Sequence, residues 1–162
     1  MAYTPILATL GFVLSPDRRR VLLVHRNARP DDAHFGKYNG LGGKMERGED
    51  ALGCMRREIR EEAGIECTSL HLRGTINWPG FGKNGEDWLG FLFTISAFDG
   101  VERSHNEEGT LEWIDLERLA DLPMWEGDRL FLPMVFDADP RQFHGVMPYR
   151  HGRMQSWSFQ RY

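Results

Sequence analysis

Cysteine is scarce in this chain: Cys54 and Cys67 are the only two among 162 residues. One falls inside a helical pattern and the other just past it, which provides neither a disulfide framework nor zinc-ligand spacing; a reducing cytoplasm is the expected location. Long apolar runs are missing as well. The N-terminal MAYTPILATLGFVL has no basic leader and is far shorter than the roughly 18 apolar residues of a membrane span, so it is expected to form a first strand, with no membrane partner. Positive charge is not in excess: 20 Lys and Arg face 24 Asp and Glu, a net charge of -4, with a pI near 5.9. That balance argues against a broad nucleic-acid surface and leaves an anionic ligand dependent on a metal and selected basic side chains. The histidines, His25, His34, His71, His105, His144 and His151, lack ligand spacing and are expected to be structural or on the surface. Internal repeats, low-complexity tracts and linkers are absent, and 41% hydrophobic with 27% charged residues is the composition of one globular domain, expected over 1–162.

What is present is a series of short strand patterns around one strong helical one. Ile6 to Leu14 and Val21 to Arg26 are β-rich runs separated by the turn-forming Ser15-Pro16-Asp17-Arg18-Arg19-Arg20, which predicts a hairpin. Asn27 to Tyr38 lacks periodicity and is expected as a loop over one end of the sheet; Asn39 to Lys44, rich in glycine, brings the backbone close to another group. A helix is predicted from about Asp50 to Ala63, with Leu52, Met55, Ile59 and Ala63 as its apolar stripe and Gly64 as a left-handed cap. Further strands are expected at Leu70 to Asn77, Trp88 to Phe98 and Leu111 to Leu116. A short helix should follow, then a second between Arg129 and Asp137 in which Pro133 occupies the first turn or causes a kink. Phe143 to Tyr149 and Met154 to Phe159, separated by His151-Gly152, predict a terminal hairpin. Mixed strands with two helices imply an α+β fold or an α/β/α sandwich.

The segment Gly43 to Ile65, GKMERGEDALGCMRREIREEAGI, carries the chemistry. Glu58, Glu61 and Glu62 stand at i, i+3 and i+4 and share one helix surface. Like charges so placed repel, and they lie near a helix C-terminus whose dipole favours cations; a bound cation removes both costs. Three glutamates alone would read as a solvated face. Carboxylates are hard oxygen ligands suited to Mg²⁺ or Mn²⁺, and such a cluster leaves positions for water and phosphate oxygens. The expected substrate is therefore a polyphosphate, hydrolysed without a covalent protein nucleophile.

Gly43, five residues, Glu49, seven residues, and Arg57-Glu58-Ile59-Arg60-Glu61-Glu62-Ala63-Gly64-Ile65 match every defined position of the Nudix box, and the chain resembles a Nudix hydrolase. The resemblance implies an α/β/α sandwich with a mixed β-sheet, in which the box forms loop, helix and loop. It also implies that Glu58, Glu61 and Glu62 are metal ligands, that Gly43 offers a backbone carbonyl to the metal, and that Glu49 and Arg57 pair to hold the loop to the helix. For that pair a plain surface salt bridge is the alternative. Glu58 and Glu61 are thereby catalytic candidates. In similar nucleotide hydrolases an acid in the position of Glu108 reaches the metals or activates water; a plain exposed loop acid is the alternative.

Beyond the box, Tyr38-Asn39-Gly40-Leu41-Gly42-Gly43-Lys44, Gly109 to Trp113, Pro123 to Asp128 and Phe143-His144-Gly145 resemble the MutT-type 8-oxo-dGTP diphosphatases. That likeness implies a small-molecule purine nucleotide held by Asn39 at the base edge, Trp125 against the base face and Asp128 on the ring donors, and a role in nucleotide-pool sanitisation. A purine slot needs a flat apolar wall with a few fixed polar groups. From residue type alone, Trp125 could equally be a packing aromatic and Asp128 a helix N-cap. The mammalian enzyme has two adjacent acids where this chain has Gly127-Asp128. Other readings are ADP-ribose, towards which Pro79 points, a 5′-triphosphate RNA end, and a non-catalytic nucleotide sensor, which the intact glutamate set opposes.

Overall fold

The computed structural model describes residues 1–162 and places eleven strands, two α-helices and one short 3-10 helix along the chain. Strand β1 (Ile6–Leu14) pairs in parallel with a later strand, Trp88–Asp99, from Ile6 to Val13. Its other edge is divided. The end at Val13 and Leu14 pairs antiparallel with β2 (Arg20–His25), whereas Ala8 to Gly11 pair with β4 (Leu41–Lys44). Between them, β3 (Tyr38–Asn39) adds to β2. The expected hairpin therefore forms at its turn end, and its other end opens into a fork.

Glycines permit the fork. A Cβ on Gly42 would lie 1.9 Å from the Thr9 carbonyl oxygen, so only glycine lets β4 lie this close to β1.

Downstream, β5 (Glu66–Trp78) and β6 (Trp88–Asp99) form a long antiparallel pair, and β7 (Thr110–Asp115) pairs with β2. β5 begins four residues before the expected Leu70, because register shifts between Cys67 and Leu70 disturb the alternation that would have marked it. The whole forms one nine-stranded mixed sheet.

Helices cover both faces, as the α/β/α expectation required. Alternation along β2 sends Leu22 and Val24 to one side, with Met55 and Ile59 of α1 (Ala51–Ala63). Val21 and Leu23 go to the other, with Phe131 and Leu132 of α2 (Asp128–Phe136). Helix α1 starts at Asp50, whose carboxylate accepts from the Gly53 N–H at 2.7 Å, and ends at Gly64 with φ 74°. Its apolar stripe differs from the expected one. Leu52 in the first turn is exposed, and full burial begins with Cys54 in the second. Pro133 sits in the second turn of α2 rather than the first, which leaves the Arg129 carbonyl without its helical donor.

The C-terminal hairpin closes where expected, at His151-Gly152, but in two parts. Phe143–Val146 (β8) pairs with Ser158–Arg161 (β11), while Tyr149–Arg150 (β9) and Arg153–Met154 (β10) make a separate small ribbon. His151 and Gly152, with φ of 49° and 76°, supply its two-residue turn. No helix is long and apolar enough to cross a membrane.

Candidate active site

The sheet fork opens into a cavity of about 360 Å³. At one end lie Gly42, Gly43 and Lys44 of β4 with Glu108; at the other lie Asn39, Trp125 and Asp128. The fold thus brings Gly43 and Lys44, the first residues of the box, into one hollow with the three base-pocket candidates, the farthest of them, Asp128, 85 residues on from Gly43; Glu58, Glu61 and Glu62 lie outside the residues that line it.

At the box end α1 lies across β4. The Glu58 carboxylate rests on the Gly43 backbone: a Cβ there would be 2.5 Å from Glu58 Oε1, so any larger residue would displace the carboxylate from the strand. Glu62 accepts from the Gly42 N–H at 3.3 Å. Glu61 is more exposed and accepts from Arg57 Nη1 at 3.2 Å. Arg57 is the centre of this end. It makes a two-pronged pair with Glu49 through Nε and Nη2, donates from Nη2 to the Lys44 carbonyl at 3.1 Å and from Nη1 to Glu58 at 3.0 Å. Glu49 in turn accepts from the Glu46 N–H at 2.9 Å. The Glu49 and Arg57 pair therefore joins the loop after β4 to α1 as a network, and the Arg57 guanidinium holds the Glu49 carboxyl down to about 2.

No three His, Cys, Asp or Glu side chains are gathered around one metal position, and Glu58 and Glu61 pair with Arg57. The donor set nonetheless fits a hard divalent cation. Glu62 is pushed well above the ordinary carboxylate range by burial, by the facing charge of Glu108 and by Glu58, and Glu58 is raised by burial. Acids crowded at such cost, beside a glycine carbonyl strand, are compensated by positive charge.

Glu108 is not a plain loop acid. Its backbone N–H is held by Asn106 Oδ1 at 2.9 Å, and its carboxylate pairs with Arg26 Nη1 at 3.2 Å. Asn106 also donates to the Glu62 carbonyl at 3.3 Å, which ties this turn to the end of α1.

At the other end, Asn39 Nδ2 is buried with no hydrogen-bond partner. Asp128 is the first residue of α2 and caps nothing: the N-cap is Gly127, with no side-chain cap bond. Enclosure pushes the Asp128 carboxyl up to about 7, against the opposing pull of Arg129 and Lys37. Trp125 is wedged among aromatics, 5.2 Å from the Phe81 ring and 6.0 Å from Tyr149. Tyr149 Oη accepts from the Gly127 N–H at 3.2 Å and so steadies the start of α2.

Several site residues escaped the sequence reading. Arg26 joins Glu108 to Asp32, and Lys37 Nζ lies 4.5 Å over the Trp125 ring. His34, expected to be structural or on the surface, accepts from Trp125 Nε1 at 2.8 Å inside the cavity wall. Nothing in residue order signals these pairings, since Arg26 to Lys37 is a loop without periodicity.

The profile of the NUDIX domain matches residues 4–135. The chain belongs to the Nudix family. It is 32% identical over 133 residues to the oxidized purine nucleoside triphosphate hydrolase of Danio rerio, covering 82% of this chain and 81% of that one. The Nudix hydrolase YvcI of Bacillus subtilis is also 32% identical, over 134 residues that cover 80% and 79% of the two chains. Among solved structures, the MutT protein from Bacillus halodurans superposes with a TM-score of 0.83 at 27% identity, over 96% of this chain and 97% of that one. This Nudix hydrolase is a pyrophosphohydrolase, and members of its family use divalent metals.

Proposed function

We propose that this Nudix hydrolase cleaves a purine nucleoside triphosphate, with 8-oxo-dGTP as the leading substrate, to the monophosphate and diphosphate, and so cleans the nucleotide pool. The observation that carries this reading is the unpartnered Asn39 Nδ2 in a cavity that Asp128, Trp125, Gly43 and Glu108 also line. A buried amide donor without a partner costs on the order of 1–3 kcal/mol, which a ligand acceptor recovers. An aromatic wall with one donor and one protonatable acid suits a planar base carrying several polar edges. The similarity to the fish oxidized purine nucleoside triphosphate hydrolase supports the same class.

At the other end, Glu58, Glu61, Glu62 and the Gly43 carbonyl would hold Mg²⁺, for which Mn²⁺ substitutes. When bound, the cation supplies positive charge that polarises phosphorus and acidifies a water. Lys44 and Arg26 line the same end of the cavity and supply positive charge for phosphate oxygens. Glu108, oriented by Arg26 and by the Asn106 turn, stands to receive a proton from the attacking water. Glu58 and Glu61 are catalytic through the charge they bring to that centre, and Glu49 with Arg57 keeps the loop against the helix. Both cysteines are free and buried, as a reducing cytoplasm would leave them.

The test is a turnover screen with 8-oxo-dGTP, dGTP, ADP-ribose and a 5′-triphosphate RNA, with product identification. Highest kcat/KM on 8-oxo-dGTP with release of diphosphate is expected. A preference for ADP-ribose would remove the substrate assignment and leave the family chemistry in place. Binding of nucleotide without any turnover would mark a sensor.

A further inference from the structure

The Trp125 indole is fixed on more than one side. Its Nε1 donates to His34 Nδ1 at 2.8 Å, and Lys37 Nζ sits 4.5 Å from the ring centroid. A ring nitrogen that accepts must be unprotonated, so the imidazole carries its proton on Nε2. Burial, helped by the nearby charges of Arg26 and Lys37, pushes His34 down to about 4 and keeps it a neutral acceptor through ordinary pH.

His34 is itself anchored. Its backbone N–H donates to Asp32 Oδ1 at 3.0 Å, Asp32 Oδ2 accepts from Arg26 Nε at 2.7 Å, and Arg26 Nη1 pairs with Glu108 at 3.2 Å. The Arg26 and Asp32 side chains retain only 14% and 7% of their exposure, so this pair is far better shielded than a surface ion pair. The polar series Glu108, Arg26, Asp32, His34, Trp125 runs through a loop that has no helix or strand of its own to hold it.

We infer that His34 is a positioning residue: it sets the orientation of the Trp125 indole at the base slot and ties that wall, through Asp32 and Arg26, to Glu108 at the phosphate end. The inference rests on Trp125 being the base wall. It explains why the loop from Asn27 to Lys37 is ordered over the cavity although it contributes no regular structure: its polar contacts fasten both ends of the site at once. A leucine at position 34 would leave the indole N–H without an acceptor and the ring free to turn. Asparagine keeps a carbonyl oxygen near the place of Nδ1.

The experiment combines His34→Leu, His34→Asn, Trp125→Phe and the double variant His34→Leu/Trp125→Phe. With 8-oxo-dGTP, His34→Leu should raise KM about fivefold to tenfold, the equivalent of one hydrogen bond, with kcat changed by less than about twofold. His34→Asn should recover most of that loss. Because phenylalanine has no N–H to donate, His34→Leu should add little to Trp125→Phe. Additive effects in the double variant, equal effects of leucine and asparagine, or a fall in kcat at constant KM would each overturn the role. A second readout is independent of turnover. In the ¹H–¹⁵N spectrum of the indole groups, the Trp125 signal, assigned by its loss in Trp125→Phe, should shift in His34→Leu and return towards its place in His34→Asn. If 8-oxo-dGTP is not a substrate, this spectrum alone decides the His34 contact, and an unmoved signal refutes it.

Discussion

Asp128→Asn is expected to stabilise the protein at alkaline pH and to do little at acid pH. Enclosure lifts the Asp128 carboxyl from 3.8 to about 7 in the folded chain. Between those two values the folded state keeps a proton that the unfolded state has lost, so stability falls as pH rises through this window and the loss is complete above about 7. About three pKa units at 1.36 kcal/mol each give an upper limit of ~4 kcal/mol; contact of the carboxylate with the cavity reduces this, and about 2 to 4 kcal/mol is the expected range. Asparagine is close in shape and never ionises. In urea denaturation the variant and the parent should therefore have similar stability near pH 4 and diverge by that amount at pH 8. For a chain of this size each kcal/mol moves the Tm by roughly 2–4 °C, so a difference of several degrees should be visible at pH 8. Parallel pH profiles for the two proteins would refute the claim that enclosure of Asp128 outweighs the pull of Arg129 and Lys37.

Glu58→Gln and Glu61→Gln should each lower turnover by roughly a hundredfold or more while leaving the thermal transition unchanged or higher; near-normal turnover at saturating Mg²⁺ would remove the metal assignment. A chelator should abolish activity and added Mg²⁺ or Mn²⁺ should restore it, whereas full activity in excess chelator would contradict the mechanism. Trp125→Ala should raise KM for 8-oxo-dGTP by removing ring area from the base slot, with metal affinity, measured by titration, unaltered. Gly42→Ala should cost more than about 2 kcal/mol in a denaturant melt, because its Cβ would collide with the Thr9 carbonyl and push β4 off β1; a stability equal to wild type would show that the fork adapts.

Helix α1, its Gly64 cap and the acid triplet were legible in the sequence, because each depends on interactions within a few residues; that Asp50 caps the N-terminus was shown by the structure. Asp50 reaches three residues to the Gly53 N–H, Gly64 turns in its own αL conformation, and Glu58, Glu61 and Glu62 share a surface through helical periodicity alone. The α/β/α layering was legible from the mixture of strands with two helices and from the family resemblance; which of Val21, Leu22, Leu23 and Val24 faces which helix was set by the folded sheet. Local pattern ran out where pairing is non-local or irregular. The bulged start of β5 hid four strand residues, and the terminal hairpin, which closes at His151-Gly152 as expected, is interrupted between Val146 and Tyr149 so that its outer and inner parts pair separately.

The splitting of β1 between β2 and β4 was decided only by the tertiary structure, because one strand edge was shared by two partners whose competition no local periodicity records. So was the environment of each charge. Sequence identified Asp128 as an acid before a helix, but enclosure, a property of packing from many directions, makes it a raised carboxyl that caps nothing. His34 was one of six scattered histidines in the sequence. It meets Trp125, 91 residues away, only after the sheet has brought the two loops to the same side of the cavity. Residue order determines chemistry that spans a helical turn; the chain must fold before contacts of that separation have any geometry at all.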